Sequence, residues 1–216
     1  MKKLYLMKKA VIFDLDNTIY PVNSIAGNLF NGLFAVLDKN ADTINQPDDD
    51  TIGKIKEEMT RRPFQYIADK FGLDEGIRDE MTDVLRNMTY DLPMQPFDDY
   101  HHLKQIGLEK FLVTTGYLKL QYSKIRQLGI ENDFREIIVV DPDVSHKTKK
   151  DVFAEIMAKY GYVPDELLVI GDDPDSEIKA ALSLDIDTFL YDPNGRYNEE
   201  ASTHRSATLK DVLNFL

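Results

Sequence analysis

The chain has 216 residues, 43% of them hydrophobic and 30% charged, a globular composition with room for one well-buried domain and a smaller second one. Its 26 Lys and Arg against 38 Asp and Glu leave a net charge of −12, which repels polyanions and excludes nucleic acid and anionic membrane as expected partners. With no cysteine, disulfides, thiolate nucleophiles and sulfur-ligated zinc are excluded as well.

The first residues, Met1-Lys2-Lys3-Leu4-Tyr5-Leu6-Met7-Lys8-Lys9, carry a basic end. Lys8 and Lys9 interrupt the apolar stretch, and Asp14 ends the next one. Neither a signal peptide nor a membrane span is expected, and a cytoplasmic location is the default. Met1 and Met7 both remain available as starts.

Ala10–Phe13 is the first of five short apolar runs; the others are Lys110–Val113, Glu136–Val140, Leu167–Ile170 and Ile186–Tyr191. They lack strict polar alternation, as strands covered on both faces do. Residues 21–95 contain no strand-like run. They read as helices over Ser24–Leu37, Asp49–Met59, Pro63–Phe71 and Glu75–Tyr90, with a loop at Asn45-Gln46-Pro47 and a stiff return at Leu92-Pro93-Met94-Gln95-Pro96. Asp48-Asp49-Asp50 reads as a solvated helix start. Beyond residue 96 the strand-like runs alternate with helical periodicity over Leu118–Leu128, Lys149–Tyr160 and Asp175–Leu184, stopped by Gly129, Gly161 and the Tyr162-Val163-Pro164 turn. The expectation is an α/β fold: a doubly wound, parallel, five-stranded Rossmann-like sheet built from residues 1–20 and 96–216, with a helical cap at 21–95 inserted after the first strand.

In such a sheet the residues just past each strand gather along one edge, where ligands bind. Here those residues are Asp14-Leu15-Asp16-Asn17-Thr18, Thr114-Thr115-Gly116 and Gly171-Asp172-Asp173, with Glu177 one helical turn on and Lys147 at the mouth of a helix. Four or more carboxylates, a hydroxyl and an ammonium would thus converge. Clustered carboxylates repel unless a cation sits among them, and an oxygen-only ligand set of a few carboxylates suits Mg²⁺ better than Ca²⁺. Mg²⁺ beside a Lys and backbone N–H groups is an environment for phosphoryl groups, in which one carboxylate can attack phosphorus and another can serve as acid and then base. A calcium loop at Asp14–Thr18 fails, because Ile19 stands where a Gly is required.

The arrangement resembles the haloacid dehalogenase-like superfamily over nearly the whole chain. Asp14-Leu15-Asp16-Asn17-Thr18 is similar to its Asp-x-Asp-x-Thr motif, and Leu112-Val113-Thr114-Thr115-Gly116 to the motif ending an apolar strand in Thr or Ser. Lys147, six residues before Phe153, resembles the third-motif lysine. Gly171-Asp172-Asp173-Pro174-Asp175-Ser176-Glu177 resembles the acidic fourth motif.

The resemblance implies roles. Asp14 is the nucleophile and a Mg²⁺ ligand. Asp16 protonates the leaving group and then activates water, with its backbone carbonyl on the metal. Thr114 and Lys147 hold the transferring phosphoryl group, with Leu15, Thr18, Thr115 and Gly116 around it. Asp172 is a direct metal ligand, and either Asp173 or Glu177 reaches the metal through water, with Asp173 favoured. Lys149 and Lys150 stand beside Lys147; family spacing is what selects Lys147. The second Asp of the first motif, Asp16, points to phosphate esters rather than organohalides.

The implied protein is a Mg²⁺-dependent phosphohydrolase of a small phosphorylated metabolite. Nucleoside monophosphates head the substrates, because the opening motif with Ile19-Tyr20-Pro21 is also similar to that of a subgroup that includes pyrimidine nucleotide 5′-phosphatases. Sugar phosphates and phosphoglycolate come next. A phosphomutase, or a slow-turnover regulatory module, is the alternative on the same scaffold. Monomer and homodimer are both open. In the insertion, Arg61-Arg62 with Phe64 and Tyr66 reads either as a solvated helix end with core aromatics or as a patch for a second acidic group or a base. His101-His102 reads as a half-buried helix pair, and His146 and His204 carry no expected role.

Overall fold

The structure is a computed structural model and describes residues 7–44, 50–59 and 64–216. The strands are β1 (Ala10–Phe13), β2 (Glu109–Thr115), β3 (Glu136–Val140), β4 (Leu167–Gly171), β5 (Asp187–Tyr191) and β6 (His204–Ser206). The α-helices are α1 (Asn31–Lys39), α2 (Ala41–Ile44), α3 (Thr51–Met59), α4 (Phe64–Lys70), α5 (Glu75–Asn87), α6 (Tyr100–Lys104), α7 (Leu118–Leu128), α8 (Lys149–Tyr160) and α9 (Lys179–Leu182). The chain divides into two compact units, Met1–Ser24 with Asp91–Leu216, and Ile25–Tyr90.

The larger unit is a parallel sheet in the order β3-β2-β1-β4-β5-β6. The doubly wound α/β class expected from the sequence is present, with six strands instead of five. The extra strand, β6, is His-Arg-Ser and only half-buried, so no apolar run announces it. It is held by backbone pairing to Phe189–Tyr191 in register. Strand order reverses between β1 and β4. Ala10 lies beside Leu167 and Phe13 beside Ile170, and the crevice past their carboxyl ends is where ligands of open α/β sheets bind.

Successive residues of a strand face opposite sides, so each strand supplies two cores. Ala10 and Ile12 of β1, Phe111 and Val113 of β2, and Leu167 and Val169 of β4 pack with Val152, Phe153 and Ile156 of α8. Those helix positions recur at the spacing of one helical face. Truncating the fully buried Phe153 to Ala would cost about 3–5 kcal/mol. On the other side of the sheet, Phe13 meets Phe134 edge to face at 5.9 Å, and Phe189 meets Phe215 of a 3₁₀ turn over Leu209–Phe215 at 6.1 Å. The carboxylate of Asp99, just before α6, ties this last turn down by accepting from Thr208 Oγ1 at 2.9 Å and from the Leu209 N–H at 2.7 Å.

The smaller unit is helical throughout its described residues. Leu33 and Leu37 of α1, Ile55 of α3, Ile67 of α4 and Met81 of α5 form its buried centre. Asp74 caps α5 by accepting from the Ile77 N–H at 2.9 Å. The periodicity over Ser24–Leu37 becomes two parts, because Val22–Ser24 and Gly27–Phe30 are 3₁₀ turns and the α-helix starts only at Asn31. The Asn45-Gln46-Pro47 loop, Asp48, Asp49, Arg61 and Arg62 lie outside the described residues. Asp50 accepts from the Gly53 N–H at 2.9 Å at the start of α3; Tyr66 is exposed and Phe64 half-buried. No helix among the described residues is long and apolar enough to cross a membrane.

Candidate active site

The site begins in the turn after β1. Asp14 continues the strand's pairing, its N–H donating to the Ile170 carbonyl at 2.9 Å. The chain then folds back on itself: the Ile19 N–H donates to the Leu15 carbonyl at 2.9 Å, and Asn17 takes a left-handed φ of 56°. Asn tolerates that conformation better than most residues. The reversal buries Leu15, Thr18 and Ile19 and brings Asp14 and Asp16 to the same side. The Thr18 hydroxyl donates to Asp14 Oδ2 at 3.4 Å.

A lysine from α8 meets Asp14, and it is Lys149 rather than Lys147. Lys149 Nζ lies 2.7 Å from Asp14 Oδ1 and 2.7 Å from Glu177 Oε2, with all three side chains at most 8% exposed. Lys147, the residue expected at the phosphoryl group, is exposed and pairs with Glu155 at 2.7 Å, so the structure does not bring it to Asp14. The cause is the helix start. Thr148 is the N-cap and forms a reciprocal capping box with Asp151. Lys147 therefore precedes the helix, whereas Lys149 is its first residue. Lys149 then shares a face with Val152, Phe153 and Ile156, the buried stripe of α8.

Of the two acids expected for the water-mediated contact, the structure brings Glu177 rather than Asp173 to Asp14 and Asp172. Asp173 is exposed, and its Oδ1 accepts from the Asp175 N–H at 2.9 Å, capping the turn that follows. Glu177 is the buried acid. A turn over Pro174–Ile178, broken by a kink at Ser176 (φ −106°, ψ −105°), turns the Glu177 side chain back toward the end of β4, where Oε1 accepts from the Asp173 N–H at 2.8 Å. Gly171 makes this possible, because a Cβ there would overlap the Glu177 carboxylate.

One carboxylate oxygen each from Asp14, Asp172 and Glu177 lies within 4.8 Å of the others. Oxygens on an octahedral Mg²⁺ at ~2.1 Å are themselves ~3–4 Å apart, so this donor set fits such an ion. The electrostatics agree. Burial, and then the neighbouring acids Glu177 and Asp16, hold the Asp14 carboxyl well above its ordinary range despite Lys149. Burial, Glu177 and Asp173 push Asp172 up to about 7, and Arg196, 3.7 Å away, offsets this only in part. Lys149 is itself buried, which disfavours its charge, but Asp14 and Glu177 outweigh burial and keep it an ammonium. One ammonium among three acids leaves an excess of negative charge that a divalent cation would neutralise.

Asp16 lies apart from this cluster. Its Oδ1 accepts from Lys124 Nζ at 2.8 Å and from the Tyr20 hydroxyl, and its Oδ2 accepts from Gln121 Nε2 at 2.9 Å. Lys124 and these hydrogen bonds overcome burial and hold the Asp16 carboxyl below its ordinary range. Gln121 Nε2 also lies 2.6 Å from Thr114 Oγ1 and 3.1 Å from the Thr115 carbonyl. Gly116, at φ 151°, gives this side chain its room, since a Cβ would meet Gln121 at 3.0 Å.

The residues that sequence reasoning missed are therefore Lys149, Lys124, Gln121, Tyr20 and Arg196. The first three had a readable signal, a polar residue in the apolar stripe of an amphipathic helix. Arg196 is positioned by buried Asp192, which accepts from the backbone N–H groups of Arg196 at 2.9 Å and Tyr197 at 3.1 Å. The histidines stay out of the site: His101 is exposed with its ring tilted against His102 at 3.8 Å, His146 is exposed, and His204 stacks on Phe215 at 3.8 Å.

Comparison with known proteins agrees with this architecture. A protein named glyceraldehyde 3-phosphate phosphatase from Methanopyrus kandleri is 25% identical over 187 residues, 81% of this chain and 80% of the relative. Among solved structures, a HAD phosphatase from Thermococcus onnurineus superposes with a TM-score of 0.62 at 20% identity, covering 96% of this chain and 97% of the other. The magnesium-bound HAD-hydrolase YfnB of Bacillus subtilis superposes with a TM-score of 0.61 at 18% identity, covering 98% and 99%. The sequence model of the haloacid dehalogenase-like hydrolases matches residues 8–185. The match spans from just before β1 to just past α9, and this chain belongs to the haloacid dehalogenase-like hydrolase family.

Proposed function

We propose that the protein is a Mg²⁺-dependent phosphatase of small phosphate monoesters that carries the phosphoryl group transiently on Asp14. The observation that supports this most is the buried cluster in which Lys149 bridges Asp14 and Glu177, with Asp172 alongside. Asp14, Asp172 and Glu177 would hold the ion, together with the Asp16 backbone carbonyl. Bound there, Mg²⁺ supplies positive charge to the phosphoryl oxygens and relieves repulsion between the acids.

The chain's own groups supply the rest. A carboxylate oxygen of Asp14 bonds to phosphorus as the ester P–O bond breaks, and Asp16, which must enter this step protonated in the substrate complex, gives that proton to the departing oxygen. Asp16 then takes a proton from water as that water attacks phosphorus, the Asp14–phosphorus bond breaks, and inorganic phosphate leaves. Lys149 stays charged throughout and counters the negative charge on the transferring group. The hydroxyls of Thr18 and Thr114 and the backbone at Leu15, Thr115 and Gly116 complete the phosphoryl cradle. The helical unit Ile25–Tyr90 would serve as the cap that excludes water and selects the alcohol portion of the substrate.

The proposed substrates are nucleoside monophosphates, sugar phosphates and phosphoglycolate, and the name of the Methanopyrus relative, glyceraldehyde 3-phosphate phosphatase, supports the sugar phosphates among them. The test is phosphate release from a panel of all three classes, with Mg²⁺ and then with chelator. Metal-dependent, sustained release supports the proposal. Turnover unaffected by chelator, or a phosphorylated isomer as the main product, overturns it.

A further inference from the structure

Asp16 is half-buried, yet three largely or fully buried side chains donate to it: Lys124, Gln121 and Tyr20. Nothing in the sheet's packing requires this convergence. Lys124 and Gln121 sit three residues apart on one face of α7 and place polar groups at two of its buried positions, beside apolar Ile125 and Leu128, where burial is costly unless the groups are hydrogen-bonded. Gln121 also reaches Thr114 and the Thr115 carbonyl, so one amide links the carboxylate to the phosphoryl cradle. We infer that Lys124, Gln121 and Tyr20 form a positioning set that fixes the Asp16 carboxylate at the place where proton transfer occurs. The inference rests on the role assigned above to Asp16. A proton-transfer group must lie within hydrogen-bond reach of its target, and a displacement of ~1 Å can cost ~100-fold. Three donors on one short side chain leave it little freedom to drift.

The test compares the first-turnover rate of enzyme phosphorylation with two substrates under saturating Mg²⁺. A sugar phosphate has a leaving oxygen that needs a proton, and p-nitrophenyl phosphate has one that does not. Lys124→Met, which keeps the side chain's length, is expected to slow the sugar phosphate about 10–100-fold with KM little changed, and p-nitrophenyl phosphate less than about threefold. Tyr20→Phe should shift the ratio the same way by a smaller factor, and carries the test if Lys124→Met does not fold. Lys124→Arg should restore part of the loss. In an Asp16→Asn background, Lys124→Met should add less than about twofold, because the group it positions is gone. Equal slowing of both substrates, or a full further loss in that background, overturns the inference. If Asp14→Asn still turns over, the underlying mechanism fails instead, and the two failures are distinct.

Discussion

Lys149 Nζ sits midway between Asp14 and Glu177, 2.7 Å from each. This buried bridge separates Lys149 from its neighbour Lys147, which lies in solvent against Glu155. Lys149→Met is expected to lower kcat by at least about 100-fold, since it removes the ammonium from a water-poor site where charge develops. Lys147→Met should retain activity within about threefold, as surface pairs contribute little. Steady-state phosphate release from the two variants checks this. A larger loss in the Lys147 variant would reverse the assignment.

Glu177 and Asp173 make a second contrasting pair. Glu177→Gln should raise the Mg²⁺ concentration giving half-maximal activity about 10–100-fold, because a buried carboxylate beside Asp172 is lost. Asp173→Asn should leave that concentration within about threefold. Asn still accepts at the cap, so its stability cost should be under about 1 kcal/mol.

Gly171→Ala is expected to damage the site from beneath. The added methyl would occupy the space of the Glu177 carboxylate, which must move. The prediction is a Mg²⁺ requirement shifted in the same direction as Glu177→Gln, with thermal stability lowered by about 1–3 kcal/mol from overpacking. A variant with unchanged metal response would show that Glu177 need not lie against Gly171.

The raised Asp172 carboxyl gives a pH prediction. A carboxyl whose folded value lies above its unfolded value contributes stability fully present below the unfolded value and lost as pH rises through the folded one. With Asp172 at about 7 in the absence of metal and an ordinary value of 3.8, metal-free stability should fall between about pH 4 and 8. Added Mg²⁺ should raise Tm more at pH 8 than at pH 6. Asp172→Asn should raise the metal-free Tm at pH 8 by roughly 3–6 °C, for about 1–2 kcal/mol after allowing for partial exposure. It should also abolish the response to Mg²⁺. Thermal melts across pH, with and without the ion, check both.

Much of this architecture was legible because β1, β3, α7 and α8 advertise themselves: unbroken apolar runs for the strands, and stripes closed by Gly129 and Gly161, in left-handed conformation at the helix ends. Acidic residues just past β1 and β4 were legible for the same reason, since a parallel sheet places them together whatever the loops do. Lys147 was chosen over Lys149 on family spacing, although the helix expected over Lys149–Tyr160 starts where the structure starts it. The capping box Thr148–Asp151 was present in the sequence, and applying it would have placed Lys149 on the apolar face. The burial of Glu177, with Asp173 left exposed, rests on a feature no periodicity encodes, the kink at Ser176 that carries Glu177 inward. Strand β6 stayed hidden because backbone pairing alone selects it.

The account stands most directly on covalent phosphorylation of Asp14. Enzyme mixed with ³²P-labelled substrate and Mg²⁺, quenched in acid within the first turnover and digested, should yield one labelled peptide. That peptide should contain Asp14 and lose its label to hydroxylamine, as an acyl phosphate does. The Asp14→Asn variant should show no label and no turnover while keeping its fold. Label on another residue, or phosphate release by the Asp14→Asn variant at the wild-type rate, would contradict the mechanism.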